Sequence, residues 1–545
     1  MRPEDFLMRI NAEPDDDVAR LTYADWLSDR GDPRGELIHL QSALESLQYT
    51  ACKTPLRLRI RRLWIKFADQ WTKELRELGV ETVKFRGGFP FHIKIDGEAF
   101  LKFGREILKQ FATIRSVELA RAVPRYSEVS DVPELTQLTS LVLESAFRHT
   151  DFPTQLERLL DSPFLPNLTR LEIGPKLLNG DGFHVLVNSE LLPQLEHLDI
   201  SSNLIGVNEA RQLASIQNDC QLESLNLAFC HLDEESLVEL GMSRLLENVC
   251  NLDLSHNEID SDGFAVLNHS PYPRSVRRLR MDGRHISQRL DDRAVEFLAN
   301  GNKFRDLRCL DLSSQNLTRR AIDVMNSADF VYNLEWLDLS YNSLREQGIK
   351  RLSSLPFAEL RVLNLKRVDC GDIGATSLAT SRWLTQLESL NLSDNRIGEA
   401  GVHALSISPI VCNVHTLHLG GNLFEDAGAK HLSSSPYLNK IRVLGLNNVA
   451  LGSPAIRALG KSTTFQKLEV MDLSNNLIPS SVISTLAESH RMPSLIALDL
   501  RDNYTSPSAI AELICSPHFR SDLKIHWERE RDRDVYENDS ASFLD

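Results

Sequence analysis

Along most of this chain, leucine and polar residues alternate in one recurring phrase, L-x-x-L-x-L-x-x-N-x-I. It reads Leu195, Leu198, Ile200, Asn203 and Ile205 in one place, and Val249, Leu252, Leu254, Asn257 and Ile259 in another. A third copy places Leu334, Leu337, Leu339, Asn342 and Leu344. The sixth position falls at Leu143, Ile173, Ile200, Leu227, Leu254, Met281, Leu312, Leu339, Leu365, Leu392, Leu419, Leu446, Leu473, Leu500 and Ile525, mostly 27 residues apart. Self-similarity at a fixed period of this length marks a solenoid. The x-L-x-L stretch has the period of a strand, with leucine inward and polar residues outward. Asparagine at the ninth position has donors and an acceptor, so it can satisfy backbone groups where the chain leaves the strand. Cys230 and Gln315 take that slot in two repeats. Between strands runs G-x-x-x-L-x-x-S-P, as in Gly263 to Pro271, Gly401 to Pro409 and Gly428 to Pro436, which predicts a short helix ended by proline.

These residues resemble the leucine-rich repeat, in its long, helix-backed, ribonuclease-inhibitor-like kind. The resemblance implies an α/β fold, a right-handed solenoid shaped as a horseshoe with a parallel concave sheet and convex helices, running over residues 138–527. Before it, Phe91 to Ile95 and Ser116 to Leu119 predict two strands joined by a helix from Glu98 to Phe111. Residues 81–137 are therefore expected to be degenerate capping repeats that shield the first core layer. Residues 528–545 alternate acids and arginines and predict a solvated tail.

The first 50 residues predict a small all-helical module, with Phe6, Ile10, Leu21, Trp26, Leu27, Leu37 and Leu40 at helical spacing and Gly31 as a stop. Pro14 to Asp17, Arg20, Tyr23 to Leu27 and Arg30 to Glu36 resemble the short companion domain that bacterial repeat proteins carry at their N-terminus, which implies architecture and no activity. Residues 51–80 predict one amphipathic helix, with Leu56, Ile60, Leu63, Trp64, Phe67, Trp71, Leu75 and Leu78 on one stripe. Its other face begins with Lys53, Arg57, Arg59, Arg61, Arg62 and Lys66. That face either docks on an anionic surface or is solvated while the stripe packs on the first solenoid turn, and the second reading is favoured.

Charge and composition narrow the function. Lys and Arg against Asp and Glu give 61 − 76 = −15, which argues against nucleic acid as partner. Acids at Glu4, Asp5 and Asp15 to Asp17 argue against a secretory leader, and no apolar run suits a membrane span. Eight cysteines stand singly, without a C-x-x-C pair, as reduced cytoplasmic thiols do. No nucleophile, phosphate-loop or metal-spaced motif is found, so neither catalysis nor a cofactor nor a metal is expected. His415 and His418 are three apart in one strand, poorly placed to share a metal.

What remains is a binding surface on the exposed strand positions, as the repeat resemblance implies. A central outward row runs Glu172, Asp199, Asn226, Asp253, Arg280, Asp311, Asp338, Asn364, Asn391, His418, Gly445, Asp472 and Asp499. It is either an acidic site or the ordinary wording of the repeat. Arg280 breaks it inside a cluster with Arg274, Arg277, Arg278, Arg284, Arg289 and Arg293, and the next interval is 31 residues, so an insertion is expected there. Arg280 could also bridge Asp253 and Asp311. Trp336 and Tyr341 add aromatic anchors nearby. The candidate partner-binding residues are Arg278, Arg280, Arg284, Asp311, Trp336, Asp338 and Tyr341. The expectation is a non-enzymatic, monomeric scaffold for a protein partner, without nucleic acid or membrane. The alternatives are an inhibitor or regulator of an enzyme, and a GTPase-activating-like protein using an arginine of this cluster.

Overall fold

The computed structural model describes residues 3–13, 16–46, 54–121, 125–144, 151–216, 220–284, 289–519 and 523–527. The charged tail, Lys53 and the 285–288 part of the expected insertion lie outside the described residues. The chain forms two compact units, the first made largely of residues before Arg277 and the second largely of residues from Arg277 onward.

The first unit opens with helices α1 (Pro3–Ala12), α2 (Asp17–Ser28), α3 (Pro33–Ser46) and α4 (Thr54–Glu77). Asp16 caps α2, its carboxylate accepting from the backbone N–H of Val18 and Ala19. Strands β1 (Val80–Arg86) and β2 (Phe89–Asp96) then form an antiparallel hairpin. The hairpin turns on Gly87 and Gly88, both at positive φ, as a two-residue turn of this hand requires. Its tip is where the helices attach. The Tyr23 ring lies 5.4 Å from Phe6 and 6.0 Å from Phe89, and these rings share one buried cluster with Ile10, Leu27 and Ile38. A Cβ added at Gly88 would meet Ile38 Cγ1 at 2.1 Å. Gln41 completes the seat, donating to the Phe85 carbonyl and accepting from Gly88 N–H, both at 2.7 Å. Helix α4 lays Trp64 and Trp71 on Phe85, with ring centroids 5.1 and 6.3 Å away. Its basic side reaches Glu36 through Arg59 at 3.1 Å.

From β2 onward the strands of this unit run parallel in sequence order: β3 (Ser116–Ala120), β4 (Ser140–Glu144), β5 (Arg170–Ile173), β6 (His197–Asp199), β7 (Ser224–Asn226) and β8 (Asn251–Asp253). Helix α5 (Gly97–Gln110) connects β2 to β3. The second unit repeats the arrangement with β9 (Arg278–Arg280), β10 (Cys309–Asp311), β11 (Trp336–Asp338), β12 (Val362–Asn364), β13 (Ser389–Asn391), β14 (Thr416–His418), β15 (Val443–Gly445), β16 (Val470–Asp472), β17 (Ala497–Asp499) and β18 (Lys524–His526), each parallel to the next. Short helices alternate with these strands, as in Glu399–Ser406 and Glu425–Ser433. The repeat leucines are fully buried, Leu310, Leu337, Leu390, Leu417 and Leu444 among them.

Three polar devices tie one repeat to the next. Asn395, wholly buried, accepts from Val368 and Cys370 N–H at 2.9 and 3.2 Å and donates to the Leu365 carbonyl at 2.6 Å. Asn203, Asn422 and Asn476 do the same, which is the role their spacing predicts. Gln315 reproduces it, accepting from Leu290 N–H at 2.8 Å and donating to Met281 O. Cys230 divides it: the thiol leans on Ile200 O at 3.4 Å, while its own carbonyl takes Ile205 N–H at 3.0 Å. The serine of the S-P pair donates back one repeat, as Ser408 does to Ala379 O and Ser435 to Ser406 O, both at 2.5 Å. The residue before the ninth position is left-handed, at φ 58° in Ser314, 59° in Tyr341, 55° in Arg367 and 58° in Asp394. That turn keeps the ladder going round the corner, since Tyr341 N–H still reaches the Lys366 carbonyl at 2.8 Å.

The chain before β2 forms the antiparallel strand β1. One expectation is corrected. The last strand is shifted, because Ile525 pairs with Leu498 and His526 with Asp499. Ile525 therefore holds the fourth position of the phrase and not the sixth.

Candidate functional site

All seven residues singled out from sequence lie in the second unit, and strand register brings most of them into two adjacent rows. Arg278, Cys309, Trp336 and Val362 form one outward row across β9 to β12, and Arg280, Asp311, Asp338 and Asn364 form the next. Tyr341 and Arg284 stand beyond the strand ends. Trp336 is half-buried over Val362. Arg280 Nε lies 3.5 Å from Asp311 Oδ2, with both side chains largely covered. Arg284 turns back on Asp282 at 2.7 Å.

The second row explains why the repeat so often has Asp or Asn there. Each of these side chains folds down to accept the backbone N–H two residues on. Asp311 takes Ser313 N–H at 3.0 Å, Asp338 takes Ser340 at 2.8 Å and Asn391 takes Ser393 at 3.0 Å. This is an Asx turn that closes the strand end. Asp311 and Asp338 are only 3% and 7% exposed, so they supply little area to a partner. Burial raises both carboxyls above their usual range. In Asp338 the neighbouring Asp311 adds to that push and carries it to about 7, whereas Arg280 works against the rise in Asp311.

Exposed chemistry sits instead just past the strand ends. Lys366 and Arg367 stand over the Tyr341 ring at 5.6 and 5.9 Å. Neither cation was legible as part of the site, because the eye follows leucines and these two fall where the phrase leaves x. A further row, one residue before each strand, alternates in sign: Arg308 donates to Glu335 at 3.0 Å, Arg361 to Glu388 at 2.6 Å and Arg442 to Glu469 at 2.8 Å. These pairs, whose arginines reach solvent, contribute little stability each, but they set the charge pattern beside Trp336.

Two stretches match family models, residues 333–355 and 384–406, and both models are described as leucine-rich repeat. The chain carries leucine-rich repeats. Three solved structures are similar at low identity. An internalin of Listeria monocytogenes is 17% identical over 72% of this chain and 87% of its own, with TM-score 0.35. A leucine-rich repeat protein of Leptospira interrogans is 19% identical over 77% and 97%, with TM-score 0.38. A yeast Rad7 and Elc1 complex matches at 17% identity over 74% and 86%, with TM-score 0.42. No curated protein matches the chain.

Within the leucine-rich repeats, no described group of three side chains is placed to hold a metal ion, and no described helix is long and apolar enough to cross a membrane. Cys220, Cys230, Cys250, Cys309, Cys370, Cys412 and Cys515 form no disulfide among the described residues. His415 lies just before β14 and His418 ends it, and burial lowers the pKa of both, to about 4 in His418.

Proposed function

We propose that the protein is a non-enzymatic interaction scaffold that holds a protein partner on the outward face of the second unit, at Trp336, Tyr341, Arg278, Lys366 and Arg367. The observation that carries this reading is Tyr341. It occupies a left-handed position that the flanking repeats fill with Ser314 and Arg367 and others with Asp394, Gly421 and Asn448, with Phe229 and His256 as further bulky occupants. An aromatic residue is disfavoured there by sterics, and a bulky side chain kept at such a position points to a use outside folding. Flanked by two cations, the ring has the composition of an interface anchor.

Arg280 and Arg284 each lie against a carboxylate, an arrangement that serves an ion pair better than an arginine held out for a phosphate. The net charge of −15 favours a protein over nucleic acid, and the single free thiols suit a reducing cytoplasm. The N-terminal helices fit the companion-domain reading as an architectural piece, seated on the hairpin at Gly87 and Gly88.

Affinity capture with wild type beside Trp336→Ala and Tyr341→Asn, read by mass spectrometry, tests the assignment. A protein held by wild type and lost by both folded variants supports it. An identical set retained by all three removes this face from consideration.

A further inference from the structure

Nine of the ten strands of the second unit present a charged or polar side chain at the middle outward position, from Arg280 through His418 and from Asp472 to His526, whereas β15 has Gly445. Beside it, the residue after the sixth-position leucine is Gly420, where the flanking repeats place Ser393 and Asn447. Two missing side chains on adjacent repeats open a recess of about 280 Å³. Val443 and Val470 line it, both nearly fully buried, along with His418, Asn391, Asn447 and Lys366. Neighbouring side chains lean over the glycines. A Cβ at Gly445 would lie 2.6 Å from His418 Nδ1, and one at Gly420 would lie 2.1 Å from Asn447 Oδ1.

The polar groups left over in this recess are mainly donors. Among the described residues, the His418 ring and the side-chain N–H groups of Asn391 and Asn447 make no hydrogen bond, and Lys366 has only Asp394, at 3.8 Å, for an ion pair. The carboxyls are otherwise engaged: Asp472 accepts from Ser474 N and Oγ at 2.9 and 2.7 Å, and Asp499 holds Arg501 at 2.5 Å. His418, its pKa held near 4 by burial, is neutral at pH 7 and offers one ring N–H. An ammonium, two amides and an imidazole N–H converging above an apolar floor suit an anionic acceptor on an aliphatic stem. Asp394 and Asp472, which also line the recess, limit that acceptor to a single charge.

We propose that this recess binds one carboxylate of a protein partner, carried by an acidic side chain or by the partner's C-terminus. Lys366 is its counter-charge, Asn391 and Asn447 donate to it, and Val443 and Val470 lie under its stem. The assignment rests on reading this face as the partner-binding one.

The test is a titration of the full chain, labelled with ¹³C at histidine Cε1, that follows the His418 resonance. The probes are N-acetylglutamate α-amide for a side chain, N-acetylvaline for a chain terminus, N-acetylglutamine α-amide as the neutral isostere, and inorganic phosphate. A saturable shift with one or both carboxylates is expected, with a dissociation constant on the order of millimolar. The glutamine amide and phosphate are expected to leave the resonance in place. Asn447→Leu should abolish the response at an unchanged melting midpoint, and whichever carboxylate binds names the source. No saturable shift with either carboxylate, or an equal one with the glutamine amide or phosphate, overturns the proposal. Trp336→Ala should titrate as wild type does. A flat titration beside a Trp336-dependent capture overturns the recess alone, and a normal titration beside a capture indifferent to Trp336 overturns only the wider reading.

Discussion

Asn364 donates its side-chain amide to Asp338 Oδ2 at 2.6 Å, one strand along, and so fixes a carboxyl that is already folded onto its own strand end. That carboxyl is buried beside Asp311 and has its pKa pushed up to about 7. In the unfolded chain the same group ionises near pH 4. Between those two values the folded protein holds a proton that the unfolded chain has lost. The stability from this group is therefore complete below about pH 4 and is lost as the pH rises through about 7. Urea midpoints measured from about pH 5 to about pH 8 should fall more steeply in wild type than in Asp338→Asn. Parallel curves would show that the Asp338 proton is not linked to folding.

The buried asparagines predict a large and local penalty. Asn395→Ala leaves Val368 N–H, Cys370 N–H and the Leu365 carbonyl without their partner. At about 1–3 kcal/mol for each buried group left unpaired, the loss should reach at least about 3 kcal/mol. Urea denaturation measures it, and a loss below about 1 kcal/mol would mean that water takes the vacated place.

Tyr341 should trade stability against binding. Asparagine is at ease in the left-handed region, so Tyr341→Asn is expected to stabilise the fold by about 0.5–1 kcal/mol while weakening partner capture. A variant that melts lower than wild type would show that the stacking of Lys366 and Arg367 on the ring outweighs the backbone strain.

At the hairpin, Gly88 has φ +80° and its Cα faces Ile38. Gly88→Ala should loosen the seat of α1–α3 without touching the repeats. Hydrogen exchange is the readout: amides of α2 and α3 should exchange faster, while those near Leu337 and Leu444 keep their protection. Unchanged exchange in α3 would mean that the ring cluster around Tyr23 alone holds the helices.

How much of this was written in the sequence depends on what kind of signal carried it. The leucines and the ninth-position asparagines announce themselves because burial and backbone satisfaction leave few alternatives, so strands, helices and the role of Asn395 or Asn476 could be read directly. Strand β1 escaped because only Val80 and Val83 of its alternating residues are buried, although the Gly87 and Gly88 pair is a legible turn signal. The acidic row looked like a surface ladder, yet sequence cannot show that Asp311 and Asp338 bend down onto their own strand ends. Lys366 joins Tyr341 only through the left-handed turn. The recess at Gly445 was visible merely as a gap in a column, and its donors come from strands that sequence alone does not align in space.

The asparagine bonds all point the same way along the chain. Asn422 serves Asn395 N–H and Ile397 N–H, 27 and 25 residues before it, and Asn395 in turn serves Val368 and Cys370. Each repeat is thus finished by its successor. Excising one copy between two asparagine-bearing repeats would rejoin like to like, with those amides still met. Cutting the chain after any repeat would instead strand the N–H groups of the one left last, so the array can change length from within far more easily than by trimming from its C-terminal side.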